Sequence, residues 1–421
     1  VPTTSRPRPR LGRAFTALFS ASALSNLADG VLKIAVPLAA VRLTDSPLLL
    51  GGLGMALSLP WLLFALPVGA IADRVDRRHA MLAATIGRAV VVALVTLAFT
   101  TDLASIWLLY AGAFVIGIAE VLYDTTAQSV LPQVVGRDAL PTANARLQGV
   151  EIATNQFVGP PLGGWLVGIG VALAIGTPAV LWTLAVVALA RMRGSYRPAR
   201  DVGRTAQPFV RSLRADIREG LGFLLQSRVL RSLAMMTGLA NLASAAAGAV
   251  FVLFAVGSGS PMGLTEPQFG LLTTASAAGA ILGSVLAGRV TARLGRARSI
   301  AAATVAFVVM AGTPALTANP WLIGAAWALG GFGVMVWNVI VVSLRQSITP
   351  DALLGRVNSC YRLLAWGTMP VGALLGGAIG EALGLRAVFV TAAVLAASAT
   401  LGLRAVTDRA IADAEEAATA R

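Results

Sequence analysis

Gly69-Ala-Ile-Ala-Asp-Arg-Val-Asp-Arg-Arg78 is a charged decapeptide between two long apolar runs, 48–72 and 80–100. Each run has the length and composition of a segment that crosses a bilayer. Three arginines between two such segments mark a loop on the cytoplasmic side. The stretch has a copy, Gly288-Arg-Val-Thr-Ala-Arg-Leu-Gly-Arg-Ala297, displaced by 219 residues. Asn26-Leu-Ala-Asp29 is answered by Asn241-Leu-Ala-Ser244 at an offset of 215. Gln128-Ser-Val-Leu-Pro132 is answered by Gln346-Ser-Ile-Thr-Pro350 at 218. The register drifts little over a hundred residues, so the chain reads as two related halves. Such a duplication in a membrane protein places a solute site between the halves, near mid-membrane.

Composition supports this. Hydrophobic residues make up 57% of the chain and charged residues 12%, about half the charged fraction of a soluble domain, roughly 25%. The expected fold is an all-α membrane protein of twelve transmembrane helices in two pseudo-symmetric six-helix bundles. The spans are read at 14–42, 48–72, 80–100, 105–131, 142–168, 171–191, 231–256, 268–290, 299–318, 320–346, 354–380 and 385–404. The expected domains are a cytoplasmic tail (1–13), a first bundle (14–191), a cytoplasmic loop (192–230), a second bundle (231–404) and a cytoplasmic tail (405–421). In the loop, Phe209, Leu213, Ile217, Leu221 and Leu224 share one helical face, which predicts an amphipathic interfacial helix joining the halves.

Charge sets the orientation. With the N-terminus inside, 27 of the 33 basic residues fall in inside segments and 2, Arg42 and Arg386, fall outside. That asymmetry predicts two cytoplasmic termini and a bacterial cytoplasmic (inner) membrane. It also explains the net charge of +14 by contact with anionic lipid, with no nucleic-acid partner required. The N-terminal stretch reads as a basic, Pro-rich tail and not as a signal peptide. One cysteine, Cys360, and one histidine, His79, exclude a multi-cysteine or His-rich metal site. The only lysine, Lys33, lies in Val-Leu-Lys-Ile, so there is no Walker A loop and no ATP site of the chain's own. No cofactor and no metal are expected, and the chain is expected to be monomeric.

The decapeptide resembles the loop between helices 2 and 3 of the major facilitator superfamily, G-x-x-x-D-R-x-G-R-R/K. Gly69, Asp73, Arg74, Arg77 and Arg78 match, Asp76 stands for the second glycine, and the copy has Ala292 in place of the acid. The resemblance implies the twelve-helix fold over the whole chain. It also implies a latch in which Asp73 pairs with the start of helix 11, where Arg356 and Arg362 are available. The alternative is that these arginines only set topology. In helix 5, Asn155-Gln-Phe-Val-Gly-Pro-Pro-Leu-Gly-Gly164 contains G-P-x-x-G-G, which resembles the antiporter signature of exporters in that superfamily. Gly159, Gly163 and Gly164 offer a smooth packing face, and Pro160 and Pro161 remove amide donors and bend the helix. Small residues of this kind also pack helices without any role in transport. The arginine that many proton-coupled members carry in helix 4 is replaced by Ala113. The pattern is similar to the bacterial branch that holds macrolide-efflux and siderophore-export proteins.

Four acids lie within the spans, all in the first half: Asp29, Glu120, Asp124 and Glu151. A charge at mid-bilayer costs about 2.5–3.5 kcal/mol on insertion scales, so each needs a partner, a proton or water. Asp29 and Lys33 are one turn apart, acid first, the better order for a helical pair. They either neutralise each other or trade partners with a proton or a cationic solute; the second half has Ser244 and Gly248 in their places. Glu120 and Asp124 share a face of helix 4, and Arg146 is close enough in sequence to compensate one of these acids, or the acids are simply hydrated. Asn26 and Asn155 in the first half, and Asn241, Trp337, Asn338, Tyr361 and Trp366 in the second, are candidates for the cavity wall. The expected function is a secondary active, proton-coupled exporter of small amphipathic compounds by alternating access. An importer or uniporter of the same fold is the nearest alternative. A membrane enzyme is disfavoured because no nucleophile–base set or metal cluster is present.

Overall fold

The computed structural model describes residues 12–72, 75–192, 194, 196–197, 209–257 and 259–419. Asp73 and Arg74 lie outside the described residues. The described residues are helical almost throughout: α1 (Arg13–Ala40), α2 (Pro47–Ala72), α3 (Arg77–Thr100), α4 (Ile106–Val134), α5 (Leu140–Glu151), α6 (Gly159–Ile169), α7 (Val171–Ala190), α8 (Phe209–Gln226), α9 (Arg228–Ala255), α10 (Glu266–Leu294), α11 (Arg296–Leu316), α12 (Pro320–Ile348), α13 (Asp351–Trp366), α14 (Met369–Leu383), α15 (Leu385–Ser398) and α16 (Asp408–Thr419). Eleven helical stretches among the described residues are long and apolar enough to cross a membrane. The twelfth runs from Leu140 to Ile169 and is interrupted in its middle by a π-helix, Ile152–Val158. The chain is a multi-pass membrane protein of the twelve-span plan.

The helices divide into two compact units, Val1–Ala39 with Leu63–Arg200, and Ala40–Leu62 with Asp201–Arg421. The segment 40–62 therefore groups with the second unit, although the duplication assigns it to the first half. Close packing explains the grouping. A Cβ on Gly51 would lie 2.6 Å from the carbonyl oxygen of Ala373, so α2 and α14 touch through their backbones. Arg42 pairs with Glu266 at 2.7 Å, and Glu381 accepts from Ser46 Oγ at 2.7 Å and from the Leu48 amide.

In the first unit, Phe15, Leu18, Met81, Tyr123, Leu189 and Met192 are among the buried core. Asp76 is the N-cap of α3: Oδ1 accepts from the amides of Arg78 and His79, and Oδ2 from that of Tyr196. The acid that replaces the superfamily's glycine thus anchors a helix start. Arg78 donates to the carbonyls of Leu189 and Ala190 at the end of α7, and the Arg77 amide donates to the Tyr196 carbonyl.

In the second unit, the second half of α8 packs against protein, while the side chains of Phe209 and Leu213 lie outside the described residues. Leu224 is fully buried, and Ile217, Leu221 and Phe223 pack on the same core. Gly220 meets the backbone of Arg356 on α13. The predicted amphipathic helix is therefore a packed element of this unit, because the glycine admits close approach to α13. The helix α16 is docked as well. Ile411 is buried, Asp408 Oδ1 accepts from the Ala297 amide at 3.0 Å, and Glu415 pairs with Arg296 at 2.6 Å and accepts from Ser347 Oγ at 2.8 Å. Asp408 does for α11 what Asp76 does for α3, so the carboxylate that Gly295 lacks at the position of Asp76 has a counterpart on the C-terminal helix.

Candidate functional site

The apolar stretch of α1 brings a half-buried Asp29 and an exposed Lys33 together in the first unit, where they do not pair with each other directly. Arg88 of α3 donates from Nη1 to Asp29 Oδ1 at 3.2 Å and from Nη2 to Ser25 Oγ at 3.0 Å. The Arg88 side chain is 1% exposed and that of Asp29 22%. The guanidinium also lies over the rings of Tyr123, at 4.9 Å, and Trp182, at 4.8 Å. A fully buried cation requires an anion and aromatic faces of this kind. Asp29 is that anion, which is why the helical partner one turn away is passed over. Arg88 is thus a site residue that sequence reasoning missed. The signal was present: it is a basic residue in the middle of the 80–100 span.

Lys33 turns instead to the π-helix and donates to Asn155 Oδ1 at 2.7 Å. The local sequence explains how Asn155 arrives there. Pro160 and Pro161 offer no amide to the carbonyls one turn earlier, so the α ladder cannot continue through this region. The chain widens into a π turn over Ile152–Val158 and resumes α geometry at Gly159. Glycines let this irregular turn sit directly on α1. A Cβ on Gly159 would lie 2.6 Å from Gly30 Cα, one on Gly30 2.7 Å from the Asn155 carbonyl oxygen, and one on Gly163 2.7 Å from the Val31 carbonyl oxygen. Gly164 is buried in the same helix. The G-P-P-L-G-G stretch therefore sets the spacing between α1 and the helix that presents Asn155.

The remaining acids join this cluster electrostatically. Lys33 feels Glu120, Asp29 and Glu151, and Glu120 feels Asp29, Asp124, Arg88 and Lys33. Three carboxylates, Asp29, Glu120 and Glu151, thus lie within reach of two cations, and Asp124 adds to the negative charge around Glu120. Arg146 does not take part: it is exposed and makes no hydrogen bond or ion pair among the described residues, on a helix of which only Ala143 is buried. Asn26 is turned back on its own helix, with its amide donating to Ser22.

The candidates in the second unit do not form one site. Tyr361 is 5% exposed, its hydroxyl bonds Thr237 Oγ1 at 2.6 Å and the Leu233 carbonyl at 3.2 Å, and Arg345 lies over its ring. It is a packed core residue and not a cavity wall, since α9 passes directly against that face of α13. Asn241 donates to the Ala365 carbonyl at 2.7 Å. Trp337 packs against the core, and Asn338 is exposed. Trp366 meets Trp61 edge to face at 5.3 Å, and Arg362 lies over both rings. Arg356 is paired with Glu219 of α8.

Comparison with known proteins agrees with the fold. Residues 5–420 match the family of transmembrane secretion effectors. The enterobactin exporter EntS of Citrobacter koseri is 28% identical over 376 residues, 87% of this chain and 85% of that protein. The multidrug efflux pump Tap of Mycolicibacterium fortuitum is 26% identical over 380 residues, 86% and 88% of the two chains. Among solved structures, a variant of the nucleoside transporter NupG superposes with a TM-score of 0.73 at 12% identity, covering 93% of this chain and 99% of that one. A bacterial homologue of the lysosomal transporter Spinster, inward-facing and unoccupied, gives 0.70 at 15% identity, with 95% and 97% covered. The chain is a membrane transporter, and it belongs to the transmembrane secretion effector family of the major facilitator superfamily.

Proposed function

We propose that the protein exports small amphipathic compounds, drug-like or siderophore-like, in exchange for protons across a bacterial inner membrane. The observation that carries the reading is the charge imbalance of the first unit. Asp29, Glu120 and Glu151 gather around Arg88 and Lys33. Excess carboxylate inside a membrane protein is balanced by protons or by a cationic solute, and exchange of one for the other is antiport. The printed roles of two relatives, an enterobactin exporter and a multidrug efflux pump, support export.

Arg88 is the fixed element, since its guanidinium keeps its charge and its aromatic neighbours hold it in place. Asp29 exchanges between the Arg88 pair and a protonated state. Lys33 is the movable counter-charge, bonded to Asn155 in one state and drawn to Glu120, Asp29 or Glu151 in another. Movement of α1 against the π turn at Asn155 links charge to conformation. Asp73 acts as the latch of the loop after α2. The termini are cytoplasmic, the working unit is the monomer, and the energy comes from the proton gradient and not from ATP.

The test is solute-stimulated proton movement in proteoliposomes, with ethidium as the amphipathic cation and a lumenal pH dye. The proposal expects proton flux that appears only with ethidium and runs opposite to it. Ethidium movement unaffected by an imposed pH gradient contradicts it.

A further inference from the structure

The duplication places an unfilled counterpart of the charged cluster in the second unit. At the offset of 215 that aligns Asn26-Leu-Ala-Asp29 with Asn241-Leu-Ala-Ser244, Asp29 corresponds to Ser244 and Lys33 to Gly248. At the offset of 219 that aligns the two decapeptides, Arg88 corresponds to Phe307. All three replacements line one cavity of about 200 Å³, together with Phe251, Trp327 and Phe389. Where the first unit holds an ion pair, the second holds an aromatic-walled space.

We propose that this cavity is a binding subsite for an uncharged aromatic ring of the transported compound; the transport role rests on the proposed export, the binding does not. Three observations carry it. The size fits one ring: an apolar cavity of about 150 Å³ stays dry and binds benzene, while a whole drug-sized ligand needs roughly 300–1,000 Å³. The wall is aromatic and geometrically varied. Phe251 lies 4.6 Å from Trp327 and meets Phe389 nearly perpendicularly at 6.1 Å, so a further ring finds both edges and faces to pack on. Finally, no charged side chain lines the cavity, while Ser244, which makes no hydrogen bond among the described residues, offers a hydroxyl to a polar substituent of the ring.

Gly248 supplies the decisive variant. A Cβ there meets nothing within 4 Å, so Gly248→Leu fills the space without forcing backbone apart. The probe is para-fluorobenzyl alcohol, followed by fluorine NMR on the purified full-length protein in detergent. The proposal expects saturable binding to the wild type, weakened roughly tenfold or more in Gly248→Leu at unchanged melting temperature. Should Gly248→Leu lose stability, Phe307→Ala replaces it: the enlarged cavity should then bind naphthalenemethanol more tightly than the wild type does. Non-saturable partitioning equal in wild type and Gly248→Leu, or naphthalenemethanol bound no more tightly by Phe307→Ala than by the wild type, overturns the proposal. Displacement of the probe by nonanol as readily as by benzyl alcohol also overturns it, because the space would then be an acyl-chain slot. Binding is read without a gradient, so a wild type that binds the probe but moves no protons with solute sinks the export reading and leaves the subsite standing.

Discussion

Arg88 reaches across from α3 to hold Asp29 at 3.2 Å, with a side chain only 1% exposed. Removing one member of such a pair leaves an uncompensated buried charge, which costs about 3–5 kcal/mol, whereas replacing both is often nearly neutral. Arg88→Met and Asp29→Asn alone should each lower the melting temperature of the detergent-purified protein, Arg88→Met the less because Asp29 retains some exposure. Arg88→Met/Asp29→Asn should recover most of that loss. Independent, additive losses would show that the two side chains are not coupled.

Gly30 and Gly159 act as a contact, not as flexible points. Gly159→Ala should destabilise by about 1–3 kcal/mol, because its new Cβ meets backbone that cannot yield. Gly149→Ala, where a Cβ meets nothing within 4 Å, should be neutral or stabilising by up to about 1 kcal/mol. Thermal unfolding of the two variants side by side makes the comparison. Equal effects would mean that the glycines are not what lets α1 and the π turn meet.

Asp408 holds the C-terminal helix through the Ala297 amide. Asp408→Ala should cost about 0.5–2 kcal/mol, the usual worth of an N-cap, and open α16 to limited proteolysis. Glu415→Ala should cost less, roughly 0–1 kcal/mol, since the Arg296 pair is largely exposed. Proteolysis rates unchanged in Asp408→Ala would place the anchorage in Ile411 packing instead.

In the proposed mechanism Lys33 serves as a charge and not as the proton carrier. Lys33→Arg keeps the charge without a titrating group and should retain proton-coupled export, while Lys33→Met should lose it. Coupling lost equally in both, with solute binding intact, would transfer the proton step to the lysine itself.

Much of the fold was legible because long apolar spans, the three offset repeats and the arginine asymmetry are one-dimensional signals. The interior of the site was less so. Asp29 and Lys33 stand at helical spacing, yet each finds its direct partner on another helix, Arg88 at a separation of 59 residues and Asn155 at 122. Such choices depend on how helices rotate about their axes, which span-level patterns do not specify. The same limit misjudged Tyr361, a polar aromatic whose hydroxyl is satisfied inside the core. The π turn around Asn155 had a readable cause in Pro160 and Pro161, though the pattern suggested a bend and not a widened turn.

The central claim is that Asp29 exchanges a proton during transport, and one variant tests it most directly. Asp29→Asn, made together with Arg88→Met so that no buried charge is stranded, is reconstituted beside the wild type in proteoliposomes under an imposed pH gradient. Ethidium accumulation and lumenal pH are followed at once. The account predicts that the wild type moves ethidium against its own gradient with opposing proton flux. It predicts that the double variant, equally folded, only equilibrates ethidium downhill and moves no protons. Uphill ethidium transport by the double variant at the wild-type rate, with its pH dependence intact, would contradict it.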